Sequence, residues 1–290
     1  MGFIRVVFIA GISSLLLLSV FSGTRAFAGM TLDVELRGTY EDNVVGLLSD
    51  KGGGKGNGGS PMMALAAPLD AGKSGMGPSK SGAQSTGDFS TTLSASIGNS
   101  RDVTESLSLF VIGFVDHTSY STYGEFDSTI GGITGGMNRE LGDKLSARFA
   151  VNGKIKRFDD TAMNSTAFSG SLSLKERINP RIWLKEGYEY EKNNADTSSF
   201  SYTSNSISVR AGFVPTKKVL LTAGYGYLTR NYDDPAVATL TSHTISAGIE
   251  RELSARWSVD AAYDRQLSYT SQPGTSSTDN ILSAGIRYGY

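Results

Sequence analysis

The chain has no cysteine among its 290 residues. Disulfides, thiolate metal sites and thioether-bound haem are therefore excluded, and the fold must be held by its backbone bonds and packing. Proline is scarce, at 7 residues, so few positions are barred from donating to a β-ladder. Strong charge of either sign is also missing: 27 basic residues stand against 28 acidic ones, which gives no ground for a nucleic-acid or strongly anionic partner. Beyond Phe21 no apolar run approaches the roughly 20 residues that a membrane helix needs.

What is present begins with a basic start ending at Arg5, the apolar run Val6 to Phe21, and Gly23-Thr24-Arg25-Ala26-Phe27-Ala28. An apolar core followed by Ala26-x-Ala28 predicts a secretory leader over 1–28, cut before Gly29; the alternative is an uncleaved membrane anchor. Residues 29–290 are then the exported domain.

That domain starts with a strict alternation. Leu32, Val34, Leu36 and Tyr40 share one face, and Asp33, Glu35 and Arg37 share the other. Three charges opposite leucines need water or partners, and a polar barrel interior supplies both. From 41 to 86 the alternation vanishes into glycine- and serine-rich chain around the small apolar island Met62 to Ala67, expected as a long extracellular loop, with an inward-folded plug as the alternative. Gly72-Lys73-Ser74 lacks the upstream glycine and the strand-to-helix context of a phosphate-binding loop.

After residue 86 alternating segments recur near 87–98, 104–117, 126–138, 144–156, 166–176, 181–191, 200–213, 217–230, 240–251, 255–267 and 278–290. With the first segment they make twelve, and an even number returns both chain ends to one side. Two fit less well: 107–115 is apolar on both faces and 129–137 is rich in glycine. Ten or fourteen strands are therefore the alternatives. The connections are of two kinds. Tight ones carry Leu141, Ile178, Val214 and Leu253 at intervals of about 37 residues, one hairpin per repeat. The others, around 120–125, 159–165, 193–199, 233–239 and 271–278, are longer, polar and variable. The pattern predicts an all-β, transmembrane, antiparallel up-and-down β-barrel with short periplasmic turns and longer extracellular loops.

Parity assigns the charged side chains Asp33, Glu35, Arg37, Asp116, Arg148, Lys154, Lys156, Lys175, Lys185, Glu189, Arg210, Glu250, Asp260, Asp264 and Arg287 to the lumen. Glu186 falls on the lipid side unless a bulge shifts the register. Leu282, Ala284, Ile286, Tyr288 and Tyr290 form a greasy face in the last strand, with Arg287 on the other side, potentially across a closing seam from Asp33 or Glu35.

In that strand Gly285-x-x-Tyr288-x-Tyr290 resembles the C-terminal signal of bacterial outer-membrane β-barrel proteins, and Tyr40-Glu41-Asp42-Asn43 resembles the Tyr-x-Asp-Asn opening of porin-like members of that group. The resemblance implies outer-membrane lipid and the barrel-assembly machinery as partners, with Gly285, Tyr288 and Tyr290 as the assembly signal. It carries over no catalytic residue, cofactor, metal or solute, and it leaves the oligomeric state open. Three functional readings follow. The first is a channel for passive diffusion of small hydrophilic solutes through a mixed-charge lumen. The second is a structural barrel that docks or sheathes another envelope protein. The third is a lipid hydrolase built on His117 and Ser119 of Asp116-His117-Thr118-Ser119, for which no orienting asparagine is identified.

Deleting Tyr290 is expected to impair barrel assembly while translation and export continue. Heat-modifiable migration on gels measures this, and a normal fraction of folded barrel from the truncated chain contradicts it.

Overall fold

The structure, a computed structural model, describes residues 29–44, 87–271 and 276–290. The expected leader and residues 45–86 of the expected long loop lie outside the described residues. The chain forms β1 (Met30–Glu41), β2 (Asp88–Thr104), β3 (Leu107–Tyr120), β4 (Ser128–Glu140), β5 (Leu145–Phe158), β6 (Ser165–Asn179), β7 (Ile182–Ala195), β8 (Tyr202–Thr216), β9 (Val219–Tyr232), β10 (Leu240–Glu252), β11 (Trp257–Thr270) and β12 (Ser276–Gly289). Each strand pairs antiparallel with its neighbours in sequence, and β12 returns to β1, giving a closed barrel of twelve strands. Short turns and both ends of the barrel-forming chain lie at one end of the barrel, and the longer loops lie at the other.

The alternation read from the sequence becomes two surfaces. Ile155, Ile207, Ile245 and Leu282 are each more than half exposed, at 52%, 54%, 59% and 58%. Their polar neighbours point the other way: Lys154, Lys156, Thr244 and Ser283 are buried. In a closed sheet the side chains of the inner face converge and those of the outer face diverge, so the polar set is inside and the apolar set outside. This inverts the arrangement of a water-soluble protein.

The two strands that fitted the alternation poorly explain each other. On β3 the inward residues Phe110 and Phe114 stand opposite Gly136 and Gly132 of β4. A Cβ built on either glycine would lie 2.6 Å from the facing ring. The rings therefore lie across bare backbone, which is why β3 is apolar on its inner face and β4 is rich in glycine. Gly131 and Gly135 point outward, where a Cβ would meet nothing closer than 3.8 Å and 4.0 Å respectively.

The structure lengthens one expected strand and leaves Glu186 on the face where parity put it. Residues 99–103, which fell between two expected strands, extend β2, where the register shifts between Asp102 and Thr104. No bulge moves Glu186, which pairs with Leu174 and Val209 and is exposed on the outer face. It lies close to the turn end of β7, where an outward charge costs least. In the turn after β4, Gly142 takes a positive φ of 144° that other residues avoid.

The closing seam is fastened at both ends. Leu32 and Tyr290 exchange backbone hydrogen bonds of 2.9 and 2.8 Å at the turn end. At the loop end Asp42 accepts from the Asn280 backbone N–H at 2.7 Å and from its side-chain amide at 2.6 Å. Asn43 donates to the Thr278 carbonyl at 3.2 Å. Burial pushes the Asp42 carboxyl up, but the Asn280 donors outweigh it and leave the group below the ordinary aspartate value. The Asp-Asn pair after Tyr40 thus clamps the first strand to the last.

Gly132→Ala and Gly136→Ala are each expected to destabilise the barrel by about 1–3 kcal/mol, because the new Cβ would strike the facing ring and also a β5 backbone carbonyl, that of Gly153 or Phe149. Gly131→Ala and Gly135→Ala are the matched controls and should leave the urea midpoint of the refolded protein unchanged. Equal effects at all four positions would rule out the ring-on-glycine account.

Candidate functional site

The barrel interior is built of a rim and three charged clusters. At the loop end, three connections share one geometry. Single 3-10 turns at Gly124–Phe126, Thr161–Met163 and Ser198–Phe200 each bury their last side chain. Phe126, Met163 and Phe200 join Val44, Tyr120 and Phe158 in one buried apolar cluster. The residue after each turn folds back on its own loop. Asp127 accepts from the Tyr120 N–H at 2.6 Å, Asn164 from the Phe158 N–H at 2.9 Å, and Ser201 from the Ala195 N–H at 2.9 Å. Neighbouring loops are also tied by backbone bonds: Asp159 N–H to Asp127 C=O, Asp196 to Asn164, and Asp233 to Ser201, at 3.0, 2.8 and 2.9 Å. These loops were expected to vary. Instead Phe126, Met163 and Phe200 recur about every 37 residues, with a polar capping residue after each.

Below the rim lies a buried cluster on the wall formed by β5 to β9. Glu191 accepts from Lys154 at 2.9 Å and from Lys156 at 3.2 Å. The Tyr202 hydroxyl donates to the same carboxylate at 2.8 Å, and Lys156 donates to Tyr202 at 3.3 Å. Bonds that leap from β5 to β7 over β6 are possible only on the concave side of the sheet. Arg230 lies 4.1 Å above the Tyr202 ring and is wholly buried. The Tyr232 hydroxyl acts on its charge, yet no guanidinium nitrogen of Arg230 reaches a partner within hydrogen-bond geometry. Glu189 is on the same inner face, two residues before Glu191 and opposite Ser171 of β6.

The second cluster crosses the seam. Glu35 binds Arg37 at 2.6 Å and Arg287 at 2.9 Å, and Arg37 reaches on to Asp260 at 2.7 Å. Arg37 and Asp260 both pair in register with Gly285. A Cβ on Gly285 would sit 3.2 Å from the Arg37 guanidinium, so the glycine leaves the path across β12 open. Asp33 and Glu250 act on Arg287 from either side, and Glu250 stands opposite Asp260. Asp264 is buried nearby and accepts from Ser246. The seam wall is thus richer in carboxylates than in cations.

The third cluster lies on β5 to β8 toward the turn end. Lys175 faces Lys185, and Lys185 faces Arg210, on successive strands. Arg148, Arg210 and Lys175 all lie close enough to repel Lys185. Arg148 rests 3.9 Å over the Phe110 ring and Lys175 4.9 Å over Trp183. Trp183 lies in turn across Gly212, where a Cβ would strike the indole. Asp116 stands apart, half-buried on the inner face of β3 between Ser94 and Ile130.

The structure therefore gathers most of the parity-assigned charges into these clusters. The sequence reading passed over Glu191, Tyr202 and Arg230. Glu191 follows Glu189 at the spacing of two that marks one strand face. Arg230 was obscured because the inward position before it is Leu228. Outside, Tyr288 packs edge-on against Trp257 at 5.1 Å, and Arg256 lies 4.9 Å over Tyr290. His117 and Ser119 form no dyad: His117 shares a 3.0 Å bond with Thr129, while Ser119 donates to Asp127 at 2.9 Å. Among the described residues no cluster of His, Asp and Glu could hold a metal ion.

No protein-family model and no curated protein matches the chain. Among solved structures it is similar to an outer-membrane channel from Pseudomonas putida F1, at 9% identity and a TM-score of 0.63 over 90% of this chain and 96% of that one. It is also similar to the NanC porin, at 8% identity and a TM-score of 0.49 over 88% of this chain and 98% of that one. A third match is the CymD monoaromatic hydrocarbon channel, at 10% identity and a TM-score of 0.48 over 90% of this chain and 88% of that one. At 9% identity the first likeness is one of fold alone, and the other two are too distant to add to it.

Glu191→Gln would leave Lys154 and Lys156 buried without their shared countercharge, and a loss of roughly 3 kcal/mol in folding stability is expected. Adding Lys154→Met should recover part of it. If the double variant is no more stable than the single one in urea titrations, the three groups do not act as a unit.

Proposed function

We propose that the protein is an outer-membrane channel for the passive diffusion of small hydrophilic solutes. One observation carries this reading: a closed twelve-strand barrel with exposed Ile, Leu and aromatic side chains outside and ionised side chains inside. Such an outer face is stable only against lipid, and charges on the inner face need water or partners. In this reading the expected leader over 1–28 and the expected assembly signal Gly285, Tyr288 and Tyr290 put the short turns in the periplasm and the clasped rim outside. Outer-membrane lipid and the barrel-assembly machinery are then its partners.

The lumen in this reading has mixed charge arranged by wall. Lys154, Lys156, Lys175, Lys185, Arg148 and Arg210 stand on β5 to β8, and Asp33, Glu35, Glu250, Asp260 and Asp264 stand on the strands around the seam. Opposed walls of this kind set up a field across the passage and align dipolar solutes against it. Phe126, Met163 and Phe200 narrow the outer mouth.

A second reading, a structural barrel that docks another envelope protein, is favoured by one observation. Lys156, Arg230 and Thr244 have relative exposures of 1%, 0% and 0%, as in barrels filled by their own side chains. A lipid hydrolase receives no such support, since His117 and Ser119 bond elsewhere.

Conductance in planar bilayers separates the readings. The full-length protein is expected to give small discrete steps that grow severalfold in the triple variant Phe126→Ser, Met163→Ser, Phe200→Ser and in a deletion of 50–84. Silence from all three folded proteins would exclude the channel and leave the structural barrel.

A further inference from the structure

Three cations, Arg148 on β5, Lys175 on β6 and Lys185 on β7, crowd one another on the inner wall. Lys175 pairs directly with Lys185, and Lys185 with Arg210, so like charges face each other across two consecutive ladders. Such pairs are destabilising, and a fold ordinarily interleaves a carboxylate. Here Asp264 acts on Arg210 from beyond β9. Lys185 has Arg148, Arg210 and Lys175 close by, and each repels it. Arg148 and Lys175 meet aromatic rings in place of carboxylates. A cation over a ring is held by the ring's face while its N–H edge stays available to an acceptor.

The same region is open. Lys175 and Arg148 are exposed and Lys185 is half-buried, whereas Lys154 and Lys156, further along the wall, are fully covered. Lys175, Arg177, Asn179, Pro180 and Trp183 line a cleft of about 320 Å³ beside the row. Successive strands are about 4.8 Å apart, so the row offers positive charge at that repeat along a line. A single compact anion satisfies one or two of these groups. A chain bearing several carboxylates at intervals of a few bonds satisfies the row.

We propose that Lys175 on its Trp183 platform, Lys185 and Arg148, with Arg210 beside them, form a binding site for small di- and tricarboxylates entering the barrel from its turn end. The site rests on the channel reading for its purpose, since it would concentrate these solutes in the passage. Its occupancy, however, can be measured without conduction.

Trp183 is one of two tryptophans in the chain. In a Trp257→Phe background it becomes the sole indole and reports directly on the row. Refolded full-length protein is titrated with tricarballylate at constant ionic strength, with the neutral triamide and inorganic phosphate as parallel probes. A saturable change in Trp183 emission is expected for the tricarboxylate alone. Lys185→Met should weaken it by roughly tenfold, the loss of one charge-assisted bond, and Lys185→Arg should restore it. Arg251→Gln, on the outer face, should change nothing. Heat-modifiable migration confirms that each variant is folded.

A linear response, a response to the triamide, equal affinity for phosphate, or Lys185→Met binding like the parent would each overturn the assignment. Conductance of KCl measured on the same preparations keeps the two ideas apart. A conducting protein that fails to bind removes the site and leaves the channel, and a binding protein that fails to conduct does the reverse.

Discussion

Everything in this structure depends on closing the backbone ladder. Within a bilayer no water is available to an unpaired N–H or C=O, so an open sheet edge would cost several kcal/mol for each exposed group. Eleven of the ladders join strands consecutive in the chain, and only β1 with β12 must be brought together from its two ends. Side-chain bonds concentrate there: Glu35 with Arg287, Arg37 with Asp260 across β12, and Asp42 with Asn280. The ion pairs lie inside, where charges act through a lower dielectric than bulk water. Chain entropy opposes this ladder most, and directional bonds reinforce it.

The inner face follows from the outer one. With a strand period of two, every residue committed to the apolar exterior leaves a neighbour committed to the interior. The chain fills those interior positions in three ways. Around β3 and β4 it uses aromatic rings on glycine, which need no water. Along the seam it uses carboxylates in excess, with Arg37 and Arg287 set between them. On β5 to β8 it keeps cations in excess, compensated only in part by Glu189 and Glu191. The interior is therefore anisotropic around its circumference, although the net charge of the chain is only −1.

Much of this was legible in the sequence, and the reasons are specific. Alternation around Leu145 to Lys156 and Trp257 to Asp264 fixes the faces because one surface must be greasy, and a slip of one residue would invert it. The strand count survived the weak segments because Phe110 and Phe114 need Gly136 and Gly132, a reciprocity that appears only once the register is known. The clusters were less legible. Parity places Lys154 and Lys175 on one face, but it cannot say that the first meets Glu191 two strands away while the second meets a ring on its neighbour. The clasped loops were missed for another reason. Phe126, Met163 and Phe200 are single apolar residues in polar surroundings, and their significance lies in a recurrence too long for a local window.

The rim clasp has a consequence for how such a barrel can change size. The loops carrying Phe126, Met163 and Phe200 are each fastened by a capping residue to their own strand and by backbone bonds to a neighbouring loop, and their buried side chains meet in one cluster. A hairpin carrying its own turn, its own loop and its own cap could be inserted or removed, and the new neighbours would find the same donors and acceptors waiting. The circumference is then an editable length, set by how many copies of one unit of about 37 residues the chain strings together. The seam is the one ladder that joins strands from the two ends of the chain.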